Sequence, residues 1–232
     1  MTNAVAMPHV DSPRQRQQRM WTTGDFAMVA TASTIVGERL CESVDVRAGE
    51  RVLDIATGSG NTALAAARRH CEVTGIDFVP TLLDRARERA AAELLRVCRP
   101  GGRIGLTVWS PEGFIAELQR TSARYSPPPP VGFQSPILWG TEKRLRELLG
   151  DGVHSLSHTR QTLMMRHRSI DEWLDFTRSY FGPVRLLLES LDRDRRIAVA
   201  AEVAELARRR NRSGDDTMLV PAEYVEIVAT RR

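Results

Sequence analysis

Asp54-Ile55-Ala56-Thr57-Gly58-Ser59-Gly60-Asn61 follows directly on the apolar pair Val52-Leu53. The stretch reads as a short buried strand, residues 51–56, running into a tight turn with glycines at 58 and 60. A helix over 61–70 then opens, with apolar positions at Ala63, Leu64 and Ala67. Strand, glycine turn and helix in that order build a nucleotide pocket at the carboxyl end of a parallel strand. Gly58 and Gly60 let the backbone approach a ligand closely, because no Cβ stands in the way. Asp54 puts a carboxylate at the end of an apolar strand, where a charge needs a positive or hydrogen-bonding partner.

Two further pieces continue the pattern. Glu72-Val73-Thr74-Gly75-Ile76-Asp77 reads as a second strand ending in an acid, and Asp77 lies seventeen residues past Gly60. In doubly wound folds an acid at this place accepts hydrogen bonds from ribose hydroxyls; Asp77 also fits the N-cap of a helix from residue 81 onward. Then Leu94, Leu95, Val97 and Cys98 form the end of an amphipathic helix, stopped by Arg99-Pro100-Gly101-Gly102 before a strand over 103–109. Pro-Gly-Gly after a helix is a strong stop and turn signal.

These pieces in this order resemble the class I S-adenosylmethionine-dependent methyltransferases, in particular the small-molecule type common in actinobacteria. The resemblance spans most of the chain. It includes Trp21-Thr22-Thr23-Gly24-Asp25, the glycine turn, Asp77, the 99–102 turn, Trp109 and Val220-Pro221-Ala222-Glu223-Tyr224. It implies an α/β, Rossmann-like doubly wound sheet and S-adenosylmethionine as cofactor. By the same resemblance, Asp54 and the turn of Ala56, Thr57, Gly58, Ser59 and Gly60, with Asn61 behind it, hold the methionine part. Asp77 binds the ribose, and Phe78 and Leu82 pack on the adenine. Trp21, Gly24 and Asp25 resemble a lid and Trp109 a pocket wall; for both tryptophans plain core packing is the competing role.

The chain also departs from the family. An intact member has a third strand, an acidic loop holding the adenine edge and a fourth strand facing the methyl group. Here only 22 residues separate Asp77 from Pro100, room for one helix at ordinary element lengths. Apolar positions Leu82, Leu83, Ala86, Ala90, Leu94, Val97 and Cys98 keep helical period throughout that stretch. The expected sheet is therefore truncated to about five strands. The family order 3-2-1-4-5-7-6 becomes 2-1-5-7-6, with strand 103–109 moving beside strand 51–56. Loss of the acidic loop and fourth strand predicts weak or absent cofactor affinity and poor turnover.

The remaining sequence sets bounds. The chain has 232 residues, 42% hydrophobic and 27% charged, as expected of a globular protein with a sizeable core. No apolar run is long enough to cross a bilayer, and no basic-then-apolar leader precedes residue 20, so a cytoplasmic location is expected. The net charge of +4 resides largely in Arg208-Arg209-Arg210, Arg212 and Arg231-Arg232. No aromatic platform is interleaved with them, which argues against nucleic acid as a partner, and a solvated helix end accounts for the run. Cys41, Cys71 and Cys98 form no metal or disulfide pattern, and no metal site is expected from the five histidines.

Residues 1–20 are polar and read as a flexible segment; residues 21–232 read as one domain, with a cofactor-binding core over 21–109 and substrate-side helices and C-terminal strands over 110–232. Helices are expected at 25–45, 81–99, 114–124, 142–149, 171–181 and 185–210, and strands at 158–167 and 224–230. Thr141 caps the 142–149 helix, and Ser126-Pro127-Pro128-Pro129-Pro130 forms a stiff spacer. The sequence names no catalytic base; His154, His158 and Tyr125 are weak candidates. Three functions compete. They are methyl transfer to a small molecule, a non-catalytic or weakly binding remnant of such an enzyme, and an NAD-dependent oxidoreductase, since residues 58–63 also fit G-x-G-x-x-A. Self-association as a homodimer, or pairing with an intact relative, stays open.

Overall fold

Two five-residue runs make the strands β1 (Arg51–Ile55), along which burial alternates, and β2 (Glu72–Ile76), which pair in parallel with Arg51 beside Glu72 and Ile55 beside Ile76. The computed structural model describes residues 13–77, 91–92, 94–129 and 134–232. Three helices precede β1: α1 (Pro13–Thr22), α2 (Phe26–Thr31) and α3 (Thr34–Val44). Helix α4 (Asn61–Ala67) joins β1 to β2, and residues 91–92 and 94–97 are helical (α5). Then follow β3 (Arg103–Trp109), α6 (Phe114–Ala123), α7 (Glu142–Leu149) and β4 (Val153–His167). The chain closes with α8 (Ile170–Tyr180), α9 (Gly182–Ser190), α10 (Arg193–Arg210) and β5 (Met218–Arg231).

The five described strands are those the sequence leads one to expect, in the truncated Rossmann-like arrangement, and their pairings agree with the order β2-β1 and β3-β5-β4. The closing of the sheet does not occur. Among the described residues β1 pairs only with β2, and β3 pairs only with β5, antiparallel, with Trp109 opposite Tyr224. Helix α3 is the physical reason. Gly37 lies directly against Thr62 and Asn61 of α4, while Val44 and Leu40 fill the space over Gly105, where a Cβ would stand 2.5 Å from Val44 Cγ2. A shift of β3 by one strand spacing, about 4.8 Å, would break one of these contacts. Side chains span the break instead: Arg103 at the start of β3 pairs with Glu50, just before β1, and donates to the Asp45 carbonyl (2.7 Å).

Other differences from expectation have local causes. The 25–45 helix is split at residues 32–33, where the hydroxyls of Thr31, Ser33 and Thr34 each donate to a carbonyl three residues back and compete with the helical ladder. The 185–210 helix is split at Leu191 and Asp192, because Asp192 accepts from Arg195 N–H (2.8 Å) and starts α10 afresh. Residues 13–22 form α1 where a flexible segment is expected. β4 starts at Val153 and β5 at Met218, earlier than their apolar patterns suggest. Pro221 is tolerated inside β5 because β3 ends opposite Tyr224, leaving one edge of β5 free at that point. Thr141 caps α7 as expected, accepting from Arg144 N–H (3.3 Å), and Gly150 ends it. Most of the expected 81–99 helix lies outside the described residues, as does Pro130 of the proline spacer.

The main core lies among Phe114, Trp173, Val199, Leu206, Met218 and Val220, between β5 and helices α6, α8 and α10. A separate small cluster (Cys41, Ala65, Ala66, Val52, Val73) seats α3 and α4 on one face of the β1–β2 pair.

Candidate functional site

The turn after β1 is held by carboxylates from the ends of two adjacent strands. Asp54 is the penultimate residue of β1; its Oδ2 accepts from Thr57 Oγ1 (2.7 Å) and from the Ala63 N–H (2.9 Å). Helix α4 has Gly60 at its N-cap and no side-chain cap there. Asp54 therefore takes over the capping task from outside the helix, and its charge lies at the positive end of the helix dipole. Asp77, one residue past β2, accepts the Gly58 N–H at Oδ2 (2.7 Å). Thr57 N–H donates to the Ile76 carbonyl (3.1 Å), and Gly60 N–H to the Thr57 carbonyl (2.7 Å), so the turn is tied to both strand ends.

Three residues of the turn are left-handed: Ala56 (φ 61°), Gly58 (φ 51°) and Gly60 (φ 87°). For the two glycines this conformation is free of strain. Ala56 adopts it against the preference of an L-residue, at a cost of about 1 kcal/mol. A Cβ at Gly58 would meet only the Phe26 ring, 3.7 Å away, and at Gly60 only Leu64, 4.0 Å away. Both glycines thus face space rather than packed backbone. Ser59 is exposed at the apex, and Asn61 Nδ2 donates to the Ala30 carbonyl (2.8 Å), fastening the turn to α2.

An aromatic group stands over the turn. Trp21 and Phe26 meet edge to face with centroids 5.5 Å apart, and each lies 6.4 Å from Phe181. Asp25 caps α2 through the Ala27 N–H (3.1 Å), and its own N–H donates to the Tyr180 carbonyl (3.1 Å). Gly24 and Gly182 permit this docking: a Cβ on Gly24 would collide with the Tyr180 carbonyl, and one on Gly182 with the carbonyls of Met20 and Thr23.

The structure thus brings Asp54, Ala56, Thr57, Gly58, Ser59, Gly60, Asn61 and Asp77 together, with Trp21 reaching the turn through Phe26. Trp109 lies in the other sheet, edge to face with Tyr224 (6.3 Å). Phe78 and Leu82 lie outside the described residues. The three weak base candidates are placed on other work or on the surface. His158 Nε2 is bonded to the Gly140 carbonyl (2.8 Å), Tyr125 donates to Glu202 (2.7 Å), and His154 is exposed on β4. No group of three or more metal-ligating side chains occurs among the described residues. Among them, too, no helix is long and apolar enough to cross a membrane.

Sequence reasoning missed Phe181, which belongs to no local motif and enters the site only because α8 ends against residues 24–25. It also missed the buried polar set under α3. There Glu226 is 2% exposed and accepts from Ser43 Oγ (2.7 Å) and the Tyr224 hydroxyl (3.1 Å). Burial raises the Tyr224 hydroxyl above its ordinary pKa.

The chain is similar to known proteins in sequence and in fold. A family model described as a methyltransferase domain matches residues 52–99. An uncharacterized protein of Mycobacterium tuberculosis (strain ATCC 25618 / H37Rv) is 31% identical, over 85% of this chain and 89% of its own length. That alignment runs over 243 positions, more than the 232 residues of the chain, so the relative carries segments without counterpart here. Two solved structures share the fold at a TM-score of 0.51. One is a cyclopropane-fatty-acyl-phospholipid synthase-like protein from Lactobacillus casei ATCC 334, at 14% identity over 93% of this chain and 99% of that one. The other is Haemonchus contortus phosphoethanolamine N-methyltransferase 2, solved with S-adenosyl-L-methionine, at 13% identity over 96% of this chain and 60% of that one. The chain belongs to the class I methyltransferase family.

Proposed function

We propose that this protein binds S-adenosylmethionine at the turn after β1 and acts in methyl transfer to a small-molecule acceptor. The observation that carries the proposal is the convergence of Asp54 and Asp77 on residues 57–60 from adjacent parallel strand ends. The cofactor, when bound, supplies an electrophilic methyl on a sulfonium centre. The chain's own residues orient it. Asp54 and Thr57 hold the turn in shape, Gly58 and Gly60 leave room beside it, and Asp77 offers the carboxylate for ribose hydroxyls. Trp21, Phe26 and Phe181 supply a partly exposed apolar wall beside the turn. Positioning of this kind accounts for most of what a protein must contribute to such a transfer.

The same hydrogen bonds speak against a dinucleotide. A diphosphate seated on a glycine turn needs the free amides of that turn and of the helix start. Here the Gly58 and Ala63 amides are already taken by carboxylates, whose negative charge opposes phosphate and suits the ammonium and sulfonium of S-adenosylmethionine. Cofactor affinity weaker than micromolar is expected, since the 22 residues between Asp77 and Pro100 leave room for one helix and not for an acidic loop and two further strands.

The test is titration calorimetry with S-adenosylhomocysteine, beside a thermal-shift comparison with NAD. Saturable S-adenosylhomocysteine binding that is lost in Asp77→Ala, with no response to NAD, is the expected result. A shift with NAD alone, or none with S-adenosylhomocysteine at millimolar concentration, overturns the proposal.

A further inference from the structure

Among the described residues, the β1–β2 pair has one face covered and one bare. Val52 and Val73 pack beneath α3 and α4. On the opposite face Leu53 is 42% exposed, Ile55 48% and Ile76 43%, with exposed Thr74 beside Leu53. Parallel strands are ordinarily buried on both faces, and a two-stranded unit is marginal by itself. The surplus is local: nine of the eleven large hydrophobic side chains that are exposed among the described residues precede residue 100. Scattered apolar side chains need no explanation, but an apolar sheet face marks a contact surface.

The bare face also carries a charge pattern. Arg51 and Glu72 stand side by side at the strand starts, on the same face as Leu53 and Ile55, and both are exposed. Neither forms an ion pair or side-chain hydrogen bond among the described residues, even with the other.

We propose that this face docks against the same face of a second copy of the chain, about a two-fold axis running along the strands. Such an axis lays β1 of one protomer over β2 of the other in the same direction. Because the two strands are in register, Arg51 of each protomer then meets Glu72 of the other, and Ile55 meets Ile76, each contact occurring twice. A two-fold axis across the strands would instead bring the charged start of each strand over the apolar end of the other, giving neither charge a partner in the second copy. The charge pattern therefore selects the occupant and its orientation. Facing sheets pack about 10 Å apart, a gap these side chains fill from both sides. Leu53, Ile55 and Ile76 supply the apolar centre of the contact and the two ion pairs its rim, the arrangement usual in isologous interfaces.

Sedimentation velocity of the full chain from micromolar to submillimolar concentration tests this. The expected mass rises from 26.0 kDa toward twice that value with concentration. Arg51→Glu and Glu72→Arg should each weaken dimerisation about tenfold or more, since each creates two like-charge contacts. The double exchange Arg51→Glu/Glu72→Arg should restore the parent behaviour to within a few fold. Leu53→Glu should leave only monomer; circular dichroism establishes whether that variant is folded, and the charge exchange decides the matter if it is not. A single monomeric mass at every concentration overturns the proposal. So does a dimer indifferent to Arg51→Glu, or a double exchange no better than the single variants.

Discussion

Replacing Asp54 with alanine removes the side chain that caps α4 and, with Asp77, holds the turn before it. Two hydrogen bonds to a charged acceptor disappear, from Thr57 Oγ1 and from the Ala63 N–H. Loss of a capping carboxylate costs about 1 kcal/mol, its interaction with the helix dipole about 0.5 kcal/mol, and the Thr57 bond to a charged group about 1 kcal/mol more. The sum is about 2–3 kcal/mol. For 232 residues the unfolding entropy is about 0.5 kcal/mol/K, so the midpoint should fall by about 4–6 °C. Asp54→Asn keeps one acceptor and should lose about half as much. Thr57→Val should cost about 1 kcal/mol, and the Asp54→Ala/Thr57→Val double variant should cost less than the two singles together, because they share one bond. Differential scanning calorimetry of the four variants at neutral pH reads all of these. An Asp54→Ala midpoint within a degree of the parent, or strict additivity in the double variant, would refute the reasoning that this carboxylate organises the turn.

Three further outcomes follow from single observations. Ala56→Gly relieves a left-handed alanine (φ 61°) and should raise stability by about 0.5–1 kcal/mol in the same melts, whereas Ala56→Val should lower it. Gly182→Ala introduces a Cβ against the carbonyls of Met20 and Thr23 and should free residues 13–25 from α9, read as faster proteolysis within that segment with the 218–231 strand still protected. Glu38 sits between Arg69 and Arg68, and the hydrogen bonds from Arg69 and then Arg68 hold its carboxyl below the ordinary value of 4.5. A carboxyl depressed by folding contributes stability that is full above the unfolded value and is lost as pH falls through the folded one. Urea unfolding should therefore show Glu38→Gln weaker than the parent at pH 6–7, the difference closing below about pH 4.5; a difference that grows in acid would contradict the pairing.

What the sequence determined by itself is what short-range chemistry dictates. The strand, glycine turn and helix over 51–67, the acid after β2, the Pro-Gly-Gly stop before β3 and the Thr141 cap of α7 all depend on residues within a few positions of one another. Their backbone demands and hydrogen-bonding needs are written locally. The family follows from them, because its cofactor turn is itself a local motif. The tertiary structure decided the rest. Whether β3 joins β1 depends on α3, whose Gly37 meets α4 while Leu40 and Val44 meet Gly105; no periodicity within any one segment encodes that wedge. The place of Phe181 over the turn depends on where α8 ends, over a hundred residues after Gly58. The bare face of Leu53, Ile55 and Ile76 looks buried in sequence, since an apolar run in a parallel strand is read as covered on both sides. Among the described residues no element covers it in three dimensions, and burial is a property of what packs on a residue rather than of the residue.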